Sequence, residues 1–84
     1  INIESLSLKF QAQSRNEVED KIEEILANKV VQTATATGVE YHYMDYLVFD
    51  VEKFKEVVKE ISKELDLRIE IYDNYTGQSL WILK

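Results

Sequence analysis

The amino-acid sequence predicts an α+β fold in which an antiparallel sheet carries two helices on one face. Three observations lead there. Residues 3–12, 39–51 and 67–72 alternate with the period of two that marks strands. Residues 15–28 and 51–65 instead repeat their apolar side chains at helical spacing. The resulting order is β-α-β-β-α-β with a short strand after it, the order of the ferredoxin-like split βαβ. Right-handed crossovers place both helices on the same side of the sheet. With 84 residues, no proline and no linker-like composition, residues 1–84 read as a single domain with one core.

In the first strand Leu6, Leu8 and Phe10 alternate with Ser5, Ser7 and Lys9, one apolar face and one polar. Ser14-Arg15-Asn16-Glu17 matches a capping box, with Ser at N-cap and Glu at N3, and opens a helix from about Arg15 to Asn28. Val18, Ile22, Ile25 and Leu26 form its apolar stripe, and Glu17, Glu19 and Asp20 crowd the turns where the helix dipole favours negative charge. Val30–Thr37 is rich in β-branched residues but has no large side chain after Val31, which marks an edge strand. Thr37-Gly38 supplies the turn that follows.

The central stretch, Val39–Val51, is the longest strand-like run and holds three of the five tyrosines and the only histidine. Its faces are Val39, Tyr41, Tyr43, Leu47, Phe49 and Val51 on one side, and Glu40, His42, Met44, Tyr46, Val48 and Asp50 on the other. Asp45 interrupts the first face, where an isolated carboxylate is costly among apolar side chains. A β-bulge near Met44–Asp45 is the simplest repair; the alternative is a strand that overhangs the core and lets Asp45 reach solvent. Asp50 then caps a second helix, about Val51 to Leu65, whose core stripe is Phe54, Val57, Val58, Ile61 and Leu65. Glu52–Lys55, Glu56–Lys59 and Glu60–Lys63 are i,i+3 pairs on its wet side. Leu67, Ile69 and Ile71 form the fourth strand, Asp73–Gly77 a turn, and Ser79–Leu83 a fifth strand bearing Trp81.

Composition excludes several classes of function. There is no cysteine, so neither a disulfide nor a thiolate metal site supports the fold, which fits a reducing, cytoplasmic setting. The opening INIESLSLKF lacks the basic and long apolar regions of a signal peptide, and no run approaches a membrane span. Asn74-Tyr75-Thr76 is a chance glycosylation sequon in that setting. Sixteen acidic and ten basic residues give a formal charge of −6, which serves solubility and disfavours direct contact with nucleic acid. Two glycines leave no room for a phosphate loop or a dinucleotide fingerprint. A single histidine excludes paired-His metal sites; Glu40 beside His42, about 7 Å apart on a strand, is the one candidate base-and-orienter pair, and it reads as a surface histidine. Glu19, Asp20, Glu23 and Glu24 lack the loop carbonyls of calcium sites and read as a solvated face. No cofactor, metal or catalytic residue is expected.

The aromatic residues carry more information. Two helices cover one side of the sheet, and simple alternation puts His42, Met44, Tyr46, Val48, Arg68, Glu70 and Tyr72 on the other. A half-apolar aromatic face invites a partner. RNA-binding domains of similar topology stack bases there, but their basic, glycine-bearing strand motif is absent. Tyr46, Tyr72, Trp81, His42 and Met44 are therefore the expected binding residues, for a protein partner. The reading is a small acidic, non-enzymatic interaction module that forms a homodimer. An alternative is a compact acidic inhibitor, a viral or mobile-element antagonist of the anti-CRISPR kind, occupying a basic site on a nucleic-acid-handling protein. A further alternative is a small-ligand regulatory domain.

Overall fold

The structure, a computed structural model, describes residues 3–12 and 15–83. Its elements are β1 (Glu4–Phe10), α1 (Asn16–Leu26), β2 (Val30–Thr37), β3 (His42–Val48), α2 (Val51–Leu65), β4 (Ile69–Asp73) and β5 (Ser79–Leu83). The five strands form one antiparallel sheet in the order β2-β3-β1-β4-β5. The fold is α+β, with β1 at the centre and the expected edge strand β2 at one end.

One face of the sheet forms the core. Leu6, Leu8 and Phe10 of β1 lie beside Met44, Tyr46 and Val48 of β3 and Ile69 and Ile71 of β4. Val18, Ile22 and Leu26 of α1 and Phe54, Val57, Val58 and Ile61 of α2 close over them in the same cluster. Each fully buried side chain of this size contributes about 1.5–3 kcal/mol relative to exposure. Ile25, expected on the α1 stripe, is 52% exposed, because the helix turns it past the edge of the contact.

Helix ends follow local chemistry. Asp50 is extended and its carboxylate accepts from the Lys53 N–H at 3.1 Å, as the cap expected at α2 requires. At the other end Asp66 adopts a left-handed conformation, φ 53°, and its N–H reaches the Ser62 and Lys63 carbonyls. Ser62, buried beneath this turn, bonds through Oγ to the Leu67 carbonyl and to the Leu83 carbonyl of β5. In α1 the residue before the helix, Arg15, makes no side-chain cap, and the expected cap at Ser14 lies outside the described residues. The β4–β5 turn is organised by Asp73, whose Oδ1 accepts from the N–H groups of Tyr75 and Thr76; Gly77 supplies the positive φ of 74° that closes it.

The centre of the sheet departs from expectation in one respect. β3 pairs with β1 without a break, from Glu4 opposite Val48 to Phe10 opposite His42. The bulge lies in β2, where the register shifts between Gln32 and Ala34, and the extra residue, Thr33, donates its hydroxyl to the Asp45 carbonyl. An edge strand can take up an extra residue at less cost than β3, which is paired on both sides. Asp45 therefore keeps its place in regular alternation and lies opposite Ser7, on the face away from the helices.

Candidate functional site

Regular alternation in β3 settles which side chains the open face presents. Residues directly opposite in an antiparallel pair share a face. Lys9 of β1 lies opposite Tyr43 on one side and Glu70 on the other, and Ser7 opposite Asp45 and Tyr72. Ser5 faces Leu47, which in turn faces Val31 of β2, and Glu70 faces Ile82 of β5. The open face is thus built around Lys9, Tyr43, Asp45, Leu47, Glu70 and Tyr72, all at least partly exposed.

Its polar groups are engaged with one another. Tyr72 donates its hydroxyl to Glu70 Oε2 at 2.6 Å, and that hydrogen bond to a carboxylate is the first cause that raises the Tyr72 pKa above its ordinary value. Arg68 Nη1 lies 3.5 Å from the other oxygen of Glu70. The Lys9 ammonium sits 4.3 Å from the centre of the Tyr41 ring, and Tyr41 and Tyr43 approach to 6.5 Å between ring centres. Lys9 and Arg68 balance Asp45 and Glu70, so these four charges on the face sum to zero within a chain of −6.

Of the five residues expected to bind, the structure places one, Tyr72, on this face. Met44 and Tyr46 were expected there and are instead buried under the helices, Met44 fully and Tyr46 to 3% exposure. The Tyr46 ring packs 5.8 Å from that of Phe54, and its hydroxyl receives the Gln32 amide at 3.4 Å and donates to Met44 Sδ at 3.8 Å. Val48, assigned with them to the open side, is likewise core. The physical reason is Asp45. A face containing a carboxylate belongs in water, and the strand period then sends 42, 44, 46 and 48 inward.

His42 also faces the helix side, at the margin of the core. Its Nε2 is 3.0 Å from the Ala12 carbonyl, its Nδ1 is 3.2 Å from Thr37 Oγ1, and its ring lies 5.6 Å from that of Phe10. A carbonyl can only accept, so Nε2 donates to Ala12, while Nδ1 and the Thr37 hydroxyl form the second hydrogen bond. Both ring nitrogens are thereby used to tie the segment after β1 to the β2–β3 corner; Glu40 is not among these partners. Trp81 lies opposite Ile71 on the helix side, half-buried, with the Lys55 ammonium 4.7 Å from its ring centre. It borders a hollow of about 720 Å³ at the start of α2, together with Leu6, Phe49, Val51 and Leu80.

Sequence reasoning passed over Tyr41, Tyr43, Lys9 and Leu47 as binding residues. The signal that finds them is the parity of Asp45 along β3, joined to Ser5, Ser7 and Lys9 on the polar side of β1. Among the described residues no group of three or more His, Asp or Glu gathers to hold a metal ion, and no helix is long and apolar enough to cross a membrane. Compared with family models, curated proteins and solved structures, the chain has no match.

Proposed function

We propose that this chain is a non-enzymatic protein-interaction module that self-associates through the open face of its sheet. One observation carries the reading: the tyrosine-bearing face is charge-balanced although the chain is strongly acidic. Two copies meeting on it about a two-fold axis would not stack net negative charge, because Lys9 and Arg68 offset Asp45 and Glu70 on each copy. Tyr41, Tyr43 and Tyr72 bring large contact area at small entropic cost, the property that makes tyrosine a frequent interface anchor. The use of both His42 nitrogens in tying strands together supports the non-enzymatic part of the reading. We read the α+β arrangement as a ferredoxin-like sandwich; the position of β1 between β3 and β4, with β5 added beyond β4, supports that reading.

Sedimentation equilibrium tests the proposal. A dimer is expected at high micromolar concentration, and Tyr43→Glu, which sets a carboxylate in the middle of the face, returns it to monomer with the far-UV spectrum unchanged. A wild-type monomer at that concentration overturns the reading.

A further inference from the structure

The sheet has a second unpartnered feature, on a different side of the molecule from the open face. β2 ends the strand order, so one edge of its backbone has no strand neighbour among the described residues. It is eight residues long, seven of them exposed, and Val30–Thr37 contains no charge and no proline. Sheet edges are ordinarily protected by charged side chains, by proline or by a covering segment. The one device present here is the Thr33 bulge, which leaves Ala34–Thr37 in regular register with β3.

What flanks this edge is specific. α1 carries Glu17, Glu19, Asp20, Glu23 and Glu24 against Lys21, and Arg15, just before the helix, lies 3.8 Å from Glu19 and donates to Thr37 Oγ1 of β2, which leaves residues 15–26 at −3. Lys21 is turned away to Glu64 of α2, 2.7 Å from its carboxylate. Glu19 and Glu23 instead line a groove of about 240 Å³ between α1 and β2, with Gln32 and the Tyr46 edge as its floor. Glu19 is held over β2 by the Gln32 amide at 2.8 Å. The opposite edge lacks this setting: α2, which packs on β5, carries four Glu and four Lys over Val51–Leu65.

We infer that the β2 edge is a docking strand for an extended, basic segment of another protein, which adds antiparallel to β2 as a sixth strand and points alternate Lys or Arg side chains at the α1 carboxylates. Main-chain hydrogen bonds supply the affinity of such strand addition, and the side chains at every second position supply its selectivity. Charge decides the occupant. Antiparallel pairing of two β2 edges about an axis normal to the sheet keeps both helix layers on one side. It would bring the Glu19 and Glu23 carboxylates that line the α1–β2 groove of one copy toward those of the other, which disfavours a second copy at this edge. A basic strand meets those same carboxylates favourably.

The inference is independent of self-association through the open face, so it is tested both in the wild-type chain and in Tyr43→Glu. The probe is a fluorescently labelled alternating Lys-Val octapeptide, read by anisotropy and by amide hydrogen exchange. Expected are saturable binding in both proteins, exchange protection gained in Val30–Thr37 and not in Ser79–Leu83, and at least tenfold weaker binding in Glu19→Gln/Glu23→Gln. The same peptide N-methylated at alternate residues on its hydrogen-bonding edge keeps its charge but loses the donors, and is expected to bind at least tenfold more weakly. Equal binding of the methylated peptide, protection at β5 rather than β2, or no binding at millimolar peptide each overturns the inference.

Discussion

The rings of Tyr46 and Phe54 lie 5.8 Å apart and inclined by 58°, joining the middle of β3 to the first turn of α2. A tilted contact of this kind adds about 0.5–1.5 kcal/mol to the burial of the two rings. Tyr46 is therefore a structural residue. Tyr46→Ala is expected to destabilise the fold by about 3–5 kcal/mol, the range for deleting a buried aromatic side chain. Tyr46→Phe, which keeps the ring and loses only weak hydroxyl contacts, should cost about 1 kcal/mol or less. Urea denaturation of the two variants measures both; near-equal losses would show that the hydroxyl and not the ring matters.

The same burial predicts an alkaline response. Burial first, then the nearby Glu19 carboxylate, pushes the Tyr46 phenol up to about 12 from its ordinary 10. In the unfolded chain the phenol releases its proton near pH 10, whereas in the fold it holds it. Between those values the unfolded state binds fewer protons, so stability falls as pH rises from 10 to 12 and the contribution is complete below pH 10. Spectrophotometric titration should find a tyrosine that ionises well above pH 10, and Tyr46→Phe should remove that late step. Tyr46→Phe should reduce the loss of stability over this interval.

The open face predicts a contrast in binding. Tyr43→Ala and Tyr72→Ala are each expected to weaken self-association by at least about 2 kcal/mol with little effect on stability, as truncation of an interface anchor does. Lys59→Ala and Glu60→Ala, on the exposed side of α2, should change it by less than about 0.5 kcal/mol. Dimer dissociation constants from sedimentation decide the matter. A larger effect from the α2 pair would place the interface on the helix side.

Asp66 offers a gain in stability. It holds φ 53° at the end of α2, a conformation glycine enters at less cost, and its backbone N–H makes the closing hydrogen bonds. Asp66→Gly keeps those bonds and is expected to stabilise the chain by a few tenths to about 1 kcal/mol, net of the greater freedom glycine has when unfolded. Thermal unfolding reads the change directly, and a fall in midpoint would count against the left-handed cap.

His42 should behave as a tie between strands. Removing its ring takes the Nε2–H donor from the Ala12 carbonyl and the Nδ1 contact from Thr37 Oγ1, which keeps Arg15 as a donor, so His42→Ala is expected to cost about 1–3 kcal/mol. Partner binding by the folded fraction should stay within a few-fold of wild type. A hundredfold loss of any activity with the fold intact would assign the histidine a chemical role.

The order of elements, the Asp50 cap, the β2 edge and the β5 boundaries were legible in the sequence, because each rests on local signals: period, capping chemistry and turn residues. The inward sides of β1 and β4 were legible for the same reason, since Leu6, Leu8, Phe10, Ile69 and Ile71 alternate cleanly with polar neighbours. β3 gave no such contrast. Tyrosine is apolar in its ring and polar at its tip, so Tyr41, Tyr43 and Tyr46 fit either face by composition. Only pairing with β1 on one side and β2 on the other decided between them: Met44 opposite Leu8 and Tyr46 opposite Leu6 go inward, while Asp45 opposite Ser7 goes to water. The bulge that accommodates this arrangement formed in β2, a strand whose own residues called for none. A strand's parity is set by its neighbours when its sequence is amphipathic on both faces, and that is why the tertiary structure replaced Met44 and Tyr46 on the candidate surface with Lys9 and Tyr43, beside Tyr72, which kept its place.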